Sequence, residues 1–112
     1  MLNVKKMLTK LLTVTKTTFT PTSGTAYANY GGCYYEKYGR FVHLHLGMSG
    51  LTANRVNSVY TLPASVRPTT RAFSAGASGA VSAAVSVEVT EAGLVNVIPT
   101  GAYCGIDAYW IL

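Results

Sequence analysis

His43 and His45 are the two histidines of this 112-residue chain, and one residue separates them. Alternate side chains of a β-strand project to the same side, so the pair presents two imidazoles that can reach one metal ion. A metal site built on such a pair needs a third ligand. No carboxylate follows closely, since positions 49 and 50 are Ser49 and Gly50, and position 37 is Lys37. With no third ligand nearby in sequence, the pair reads as two polar-face imidazoles on a solvent or subunit surface, and neither metal nor cofactor is expected.

Other chemistries find less support. The acids are Glu36, Glu88, Glu91 and Asp107, whereas sugar hydrolysis needs two carboxyl groups held about 5–9.5 Å apart. Glu91 falls in a turn and Glu88 on an outward strand position, so a working pair would have to arise between distant segments or subunits. Gly76-x-x-Gly79 precedes a strand and not a helix, so it is no phosphate loop. Cys33 and Cys104 have no metal-ligand spacing and read as two buried or half-buried thiols in a reducing compartment. An enzyme is not expected.

Aromatic residues carry the stronger signal. Five of the eight tyrosines, Tyr27, Tyr30, Tyr34, Tyr35 and Tyr38, fall within twelve residues, and Tyr103, Tyr109 and Trp110 close the chain. Such rings offer flat apolar faces with a polar edge, matching the C–H faces of a sugar. Tyr103, Asp107, Tyr109 and Trp110, with His43 and His45 as hydrogen-bonding partners, are therefore the candidate ligand-binding residues.

The elements that must position these residues are strands. Phe41 to Met48 alternates, with Val42, Leu44 and Leu46 on one face and the histidines on the other. Ala80 to Thr90 alternates on its valines, Glu91-Ala92-Gly93 is a hairpin turn, and Leu94 to Ile98 is its returning partner. Tyr103 to Leu112 places Ile106, Ala108, Trp110 and Leu112 on one face and Asp107, Tyr109 and Ile111 on the other. Shorter strands are expected at Ala26–Tyr30, Cys33–Lys37, Val59–Leu62 and Arg71–Ala75. This spacing describes an all-β, antiparallel, jelly-roll-like β-sandwich over residues 26–112.

Residues 1–16 read differently. Val4, Met7, Leu11 and Val14 lie at spacings of 3, 4 and 3, the seam of a heptad, and Lys5, Lys6, Lys10 and Lys16 supply most of the +5 net charge. So short a helix must pack on something, and a copy of itself is the simplest partner. The stretch is expected to be a coiled-coil stub that makes the protein a homotrimer, joined to the head by a Thr/Ser/Pro/Gly linker at 17–25. Only 12% of residues are charged, against roughly 25% in ordinary domains, which favours burial between subunits. Four lysines without interleaved arginine or aromatic residues make a poor nucleic-acid footprint, and no apolar run reaches the ~20 residues of a membrane span. Neither nucleic acid nor membrane insertion is expected. Lys10 interrupts the only leader-like run, so the chain reads as folded in the cytosol that makes it.

Thr61-Leu62-Pro63, Val66-Arg67-Pro68, the hairpin at Glu91-Ala92-Gly93 and the tryptophan-bearing final strand together resemble the C-terminal head of bacteriophage tail-fibre and baseplate receptor-binding proteins. The opening Met1–Lys10 is similar to the start of small tail-associated phage proteins. The resemblance covers residues 41–112 in pattern and implies a virion protein, made in a bacterial host. It also implies a homotrimeric head that binds a host cell-surface saccharide and contacts other tail proteins. A tail or capsid decoration protein that binds nothing is the alternative, followed by a small metal-dependent or polysaccharide-degrading enzyme. Val4→Asp or Leu11→Asp is expected to weaken assembly by placing an unpaired charge in the helical seam. Sedimentation at low concentration checks this, and a wild-type mass in both variants would contradict it.

Overall fold

The computed structural model describes residues 14–77 and 84–112, which form nine strands and two short 3-10 turns. The strands are β1 (Val14–Thr18), β2 (Thr25–Ala26), β3 (Cys33–Tyr38), β4 (Phe41–Ser49), β5 (Asn57–Thr61), β6 (Ala72–Ala77), β7 (Ala84–Val89), β8 (Leu94–Pro99) and β9 (Cys104–Ile111). All pairings are antiparallel and divide into two sheets. In the first, β4 is flanked by β3 and β9, with β1 beyond β3. In the second, the order is β5-β8-β7-β6.

The expected alternation sets the faces. Val42, Leu44, Leu46 and Met48 of β4 are fully buried and meet Val85, Val87, Val89, Val95 and Val97 of the second sheet, with Ile106, Ala108 and Trp110 of β9 completing the core. The hairpin turns at Glu91-Ala92-Gly93, where Gly93 takes φ +86°. The two sheets also meet where β9 runs beside β6, and the Ser74 hydroxyl donates to the Asp107 backbone carbonyl at 2.6 Å. This all-β, sandwich-like architecture agrees with the sequence expectation.

The N-terminal expectation needs correction. Val14, assigned to the helical seam, opens β1 instead, pairs with Tyr38 and is 44% exposed. The run Val-Thr-Lys-Thr-Thr is rich in β-branched residues, which suit a pleated edge better than a helix. Val4, Met7 and Leu11 lie outside the described residues. The segment 17–25 is no free linker either. Thr17 and Thr18 finish β1, Phe19 is buried and stacks on Tyr60 with centroids 4.0 Å apart, and the Thr22 N–H donates to the Val59 carbonyl. It is a packed connection between β1 and β2 of the first sheet that also touches β5 of the second.

The expected strand at Ala26–Tyr30 is broken for a reason that bears on the site. Met48 faces Cys104 on one side and Ala26 on the other, so β2 and β3 lie in one line along β4. Between them the 3-10 turn Ala28–Tyr30 leaves that line. It folds over the outer face of the sheet, where two paired residues, Gly47 and Gly105, lack side chains. A Cβ on Gly47 would lie 2.2 Å from the Tyr30 carbonyl oxygen, and one on Gly105 would touch the Tyr30 ring at 3.9 Å. Gly47→Ala must therefore displace backbone and not a side chain, and should cost at least ~2 kcal/mol. Urea denaturation checks this, and a cost near zero would contradict the close packing of turn on strand.

Candidate functional site

The outer face of the first sheet is organised in two cross-strand rows. One runs Lys16, Glu36, His43, Tyr109 and the other Thr18, Tyr34, His45, Asp107, across β1, β3, β4 and β9. These positions alternate with the core residues, so folding the core brings them together. His45 and Asp107 lie 62 positions apart in sequence, yet they are direct partners in the ladder.

One carboxylate oxygen joins both imidazoles. Asp107 Oδ1 lies 2.7 Å from His43 Nε2 and 2.7 Å from His45 Nδ1. The far nitrogens are also held: His43 Nδ1 is 3.3 Å from Glu36 Oε1, and His45 Nε2 is 2.6 Å from the Tyr30 carbonyl oxygen. That carbonyl is delivered by the turn packed on Gly47. Gly31, at φ +88°, closes the turn, and a Cβ there would come within 2.8 Å of His45 Nε2.

Aromatic rings fix the imidazole planes. Tyr109 stacks on His43 at 4.6 Å and 10°, and Tyr34 stacks on His45 at 5.0 Å. Lys16 Nζ lies 4.2 Å from the centroid of the Tyr34 ring as a cation–π contact. Burial alone would raise the Asp107 pKa, but hydrogen bonds and charge from His43 and His45 prevail and hold it below the usual carboxylate value. Asp107 is therefore an acceptor facing two rings at neutral pH. Burial, with the charges of Glu36 and Asp107, raises the Tyr34 phenol. The hydrogen bond to Glu36 does the same for Tyr38, whose hydroxyl donates to Glu36 Oε2 at 2.9 Å.

Beside the cluster is an open recess of about 400 Å³ lined by Glu36, Tyr38, Phe41, His43 and Tyr109. A larger apolar recess of about 530 Å³, whose lining includes Val56, Phe73 and Ile98, lies on the outer face of the second sheet.

Of the residues singled out in sequence, His43, His45, Asp107 and Tyr109 come together. Tyr103 does not join them. It packs edge-on against Tyr27 and Tyr30, with centroids 5.3 and 6.3 Å away, in a separate aromatic trio. Trp110 is a correction: it points into the core and donates its indole N–H to the Val66 carbonyl at 2.8 Å, as its place on the Ile106–Ala108 face requires. Glu36, Tyr34 and the Tyr30 carbonyl were missed as site groups. Strand parity alone puts Glu36 and Tyr34 on one face, whereas the Tyr30 carbonyl depends on a turn that only the Gly47/Gly105 pair permits.

The thiols do not reach this face. Cys33 and Cys104 are free and buried, and burial pushes their pKa values up to about 11 and about 12. Neither offers a thiolate nucleophile at neutral pH. Comparison with protein-family models, curated proteins and solved structures finds no match to this chain.

Raised thiol pKa values have a signed consequence. The unfolded chain releases these protons near pH 9 and the folded one about two or more units higher, so the folded state holds more protons between. Their contribution to stability is complete below pH 9 and declines as pH rises toward about 11 to 12. A disulfide-exchange reagent at pH 8 should leave both thiols unmodified in the native protein and titrate two after denaturation. Rapid native modification would contradict this.

Proposed function

We propose that this protein is a non-enzymatic adhesion module that binds a saccharide on the outer face of β3, β4 and β9. The observation that carries the reading is the recess beside Tyr109, where a stacked Tyr109–His43 pair meets the Glu36 carboxylate and the Tyr38 and Phe41 rings. Aromatic faces accept the C–H side of a sugar ring, while carboxylate and phenol oxygens accept its hydroxyls. The recess is open, as a site for the exposed end of a surface polysaccharide must be.

In the fuller form of the proposal, the chain is a jelly-roll-like head that assembles as a homotrimer on an N-terminal helical stub, in the tail or baseplate of a phage virion. Support comes from the resemblance in residues 41–112 and from the low charge content. Exposed Val56, Phe73 and Ile98 on the second sheet also suit contact with another copy. Three linked heads turn contacts of about millimolar strength into useful avidity. A decoration role without ligand is the second reading, favoured by the same apolar patch.

A glycan array carrying bacterial surface saccharides tests the proposal. The wild type should select one sugar family, and Tyr109→Ala should weaken that binding roughly 2–10-fold, the worth of one aromatic stack. No retention of any saccharide would favour the decoration reading, and binding unchanged in Tyr109→Ala would move the ligand off this face.

A further inference from the structure

We infer that His43 Nε2, His45 Nδ1 and the Asp107 carboxylate form a binding site for one divalent transition-metal ion per chain, with zinc as the test ion. These donor atoms converge within 4.8 Å of one another. Two imidazole nitrogens and one carboxylate oxygen suit zinc and its first-row neighbours, and do not suit calcium or magnesium, which prefer oxygen ligands.

The surroundings of the three donors are those a metal site needs. A metal-bound histidine normally gives its other ring N–H to a carboxylate or backbone carbonyl, which fixes the tautomer. His43 Nδ1 faces Glu36 and His45 Nε2 faces the Tyr30 carbonyl, so both rings direct their remaining nitrogens at Asp107. Stacking on Tyr109 and Tyr34 holds the planes.

Proton counting points the same way. A neutral imidazole carries one N–H, yet each ring has an oxygen acceptor at both nitrogens. On each ring, one contact requires either a second proton or a cation between nitrogen and carboxylate. A single metal ion answers both rings at once.

The geometry needs adjustment at all three donors. Ligand atoms around a tetrahedral ion with bonds of about 2.0–2.1 Å lie roughly 3.3 Å apart, so the two 2.7 Å separations must open by about half an ångström and the imidazole nitrogens, within 4.8 Å of each other, must close toward the same spacing. Asp107 can move outward, because its side chain is 44% exposed while those of His43 and His45 are 13% and 17%. That same opening leaves the remaining coordination position facing solvent. The inference does not depend on saccharide binding.

Tag-free, chelator-treated protein titrated calorimetrically with zinc, and by visible absorption with cobalt(II), tests it. The wild type should take up one ion per chain, release protons on doing so and melt at a higher temperature with zinc. Asp107→Asn should lose at least tenfold in affinity, Glu36→Gln roughly 10–100-fold, and Tyr103→Phe nothing. Circular dichroism establishes that each variant is folded. Should Glu36→Gln fail to fold, the near-isosteric Asp107→Asn decides alone. No stoichiometric binding to folded wild type overturns the inference. So does affinity unchanged in Asp107→Asn, or half an ion per chain with pairing of copies.

Discussion

Antiparallel pairing of β4 with β3 on one side and β9 on the other decides which side chains can meet. A strand hydrogen-bonded along both edges has no freedom of register, because a slip by one residue would turn Val42, Leu44 and Leu46 out to solvent and drive the histidines into the core. The apolar face therefore locks the polar one. Asp107 lies between two imidazoles because Ile106 and Ala108, its neighbours in β9, are pinned in the core opposite Leu46 and Leu44.

Two imidazoles and two carboxylates on a half-buried face would be costly if left without partners. Here each has one: Asp107 for both rings, Glu36 for His43, and the Tyr30 carbonyl for His45. The last of these exists because Gly47 and Gly105 clear a place for the turn. A gap in the side-chain pattern of two strands thus becomes the means of positioning a backbone oxygen against an imidazole. Networks satisfied at every member tend to be rigid, and rigidity is what either a saccharide platform or an ion site requires.

Much of this was legible in sequence. Period-two alternation in Phe41–Met48, the described part of Ala80–Thr90 and Tyr103–Leu112 identifies the principal strands and their inward faces, and the hairpin at Gly93 with its returning strand follows from turn chemistry. The joining of Asp107 to His43 and His45 was not legible, because pairing between β4 and β9 links segments some sixty residues apart, and strand pattern carries no record of which strands become neighbours. Nearness in sequence is therefore no guide to which donors share this face. Alternation with Ile106 and Ala108 places Trp110 inside and not on the ligand face. Val14 fits a helical spacing, but the β-branched run that follows it, ending in Thr17 and Thr18, decides for a strand. Phe19, hidden among threonines and a proline, makes an apparent linker a packed connection within the first sheet.

The central claim is that one carboxylate from β9 joins both imidazoles of β4. Long-range proton–nitrogen correlation spectra of the imidazole rings, compared between wild type and Asp107→Asn, test it most directly. The structure requires His43 Nε2 and His45 Nδ1 both to shift in the variant, while His45 Nε2 keeps the signature of a nitrogen bonded to a backbone carbonyl. Spectra in which neither ring, or only one, responds to the loss of the Asp107 charge would contradict the account.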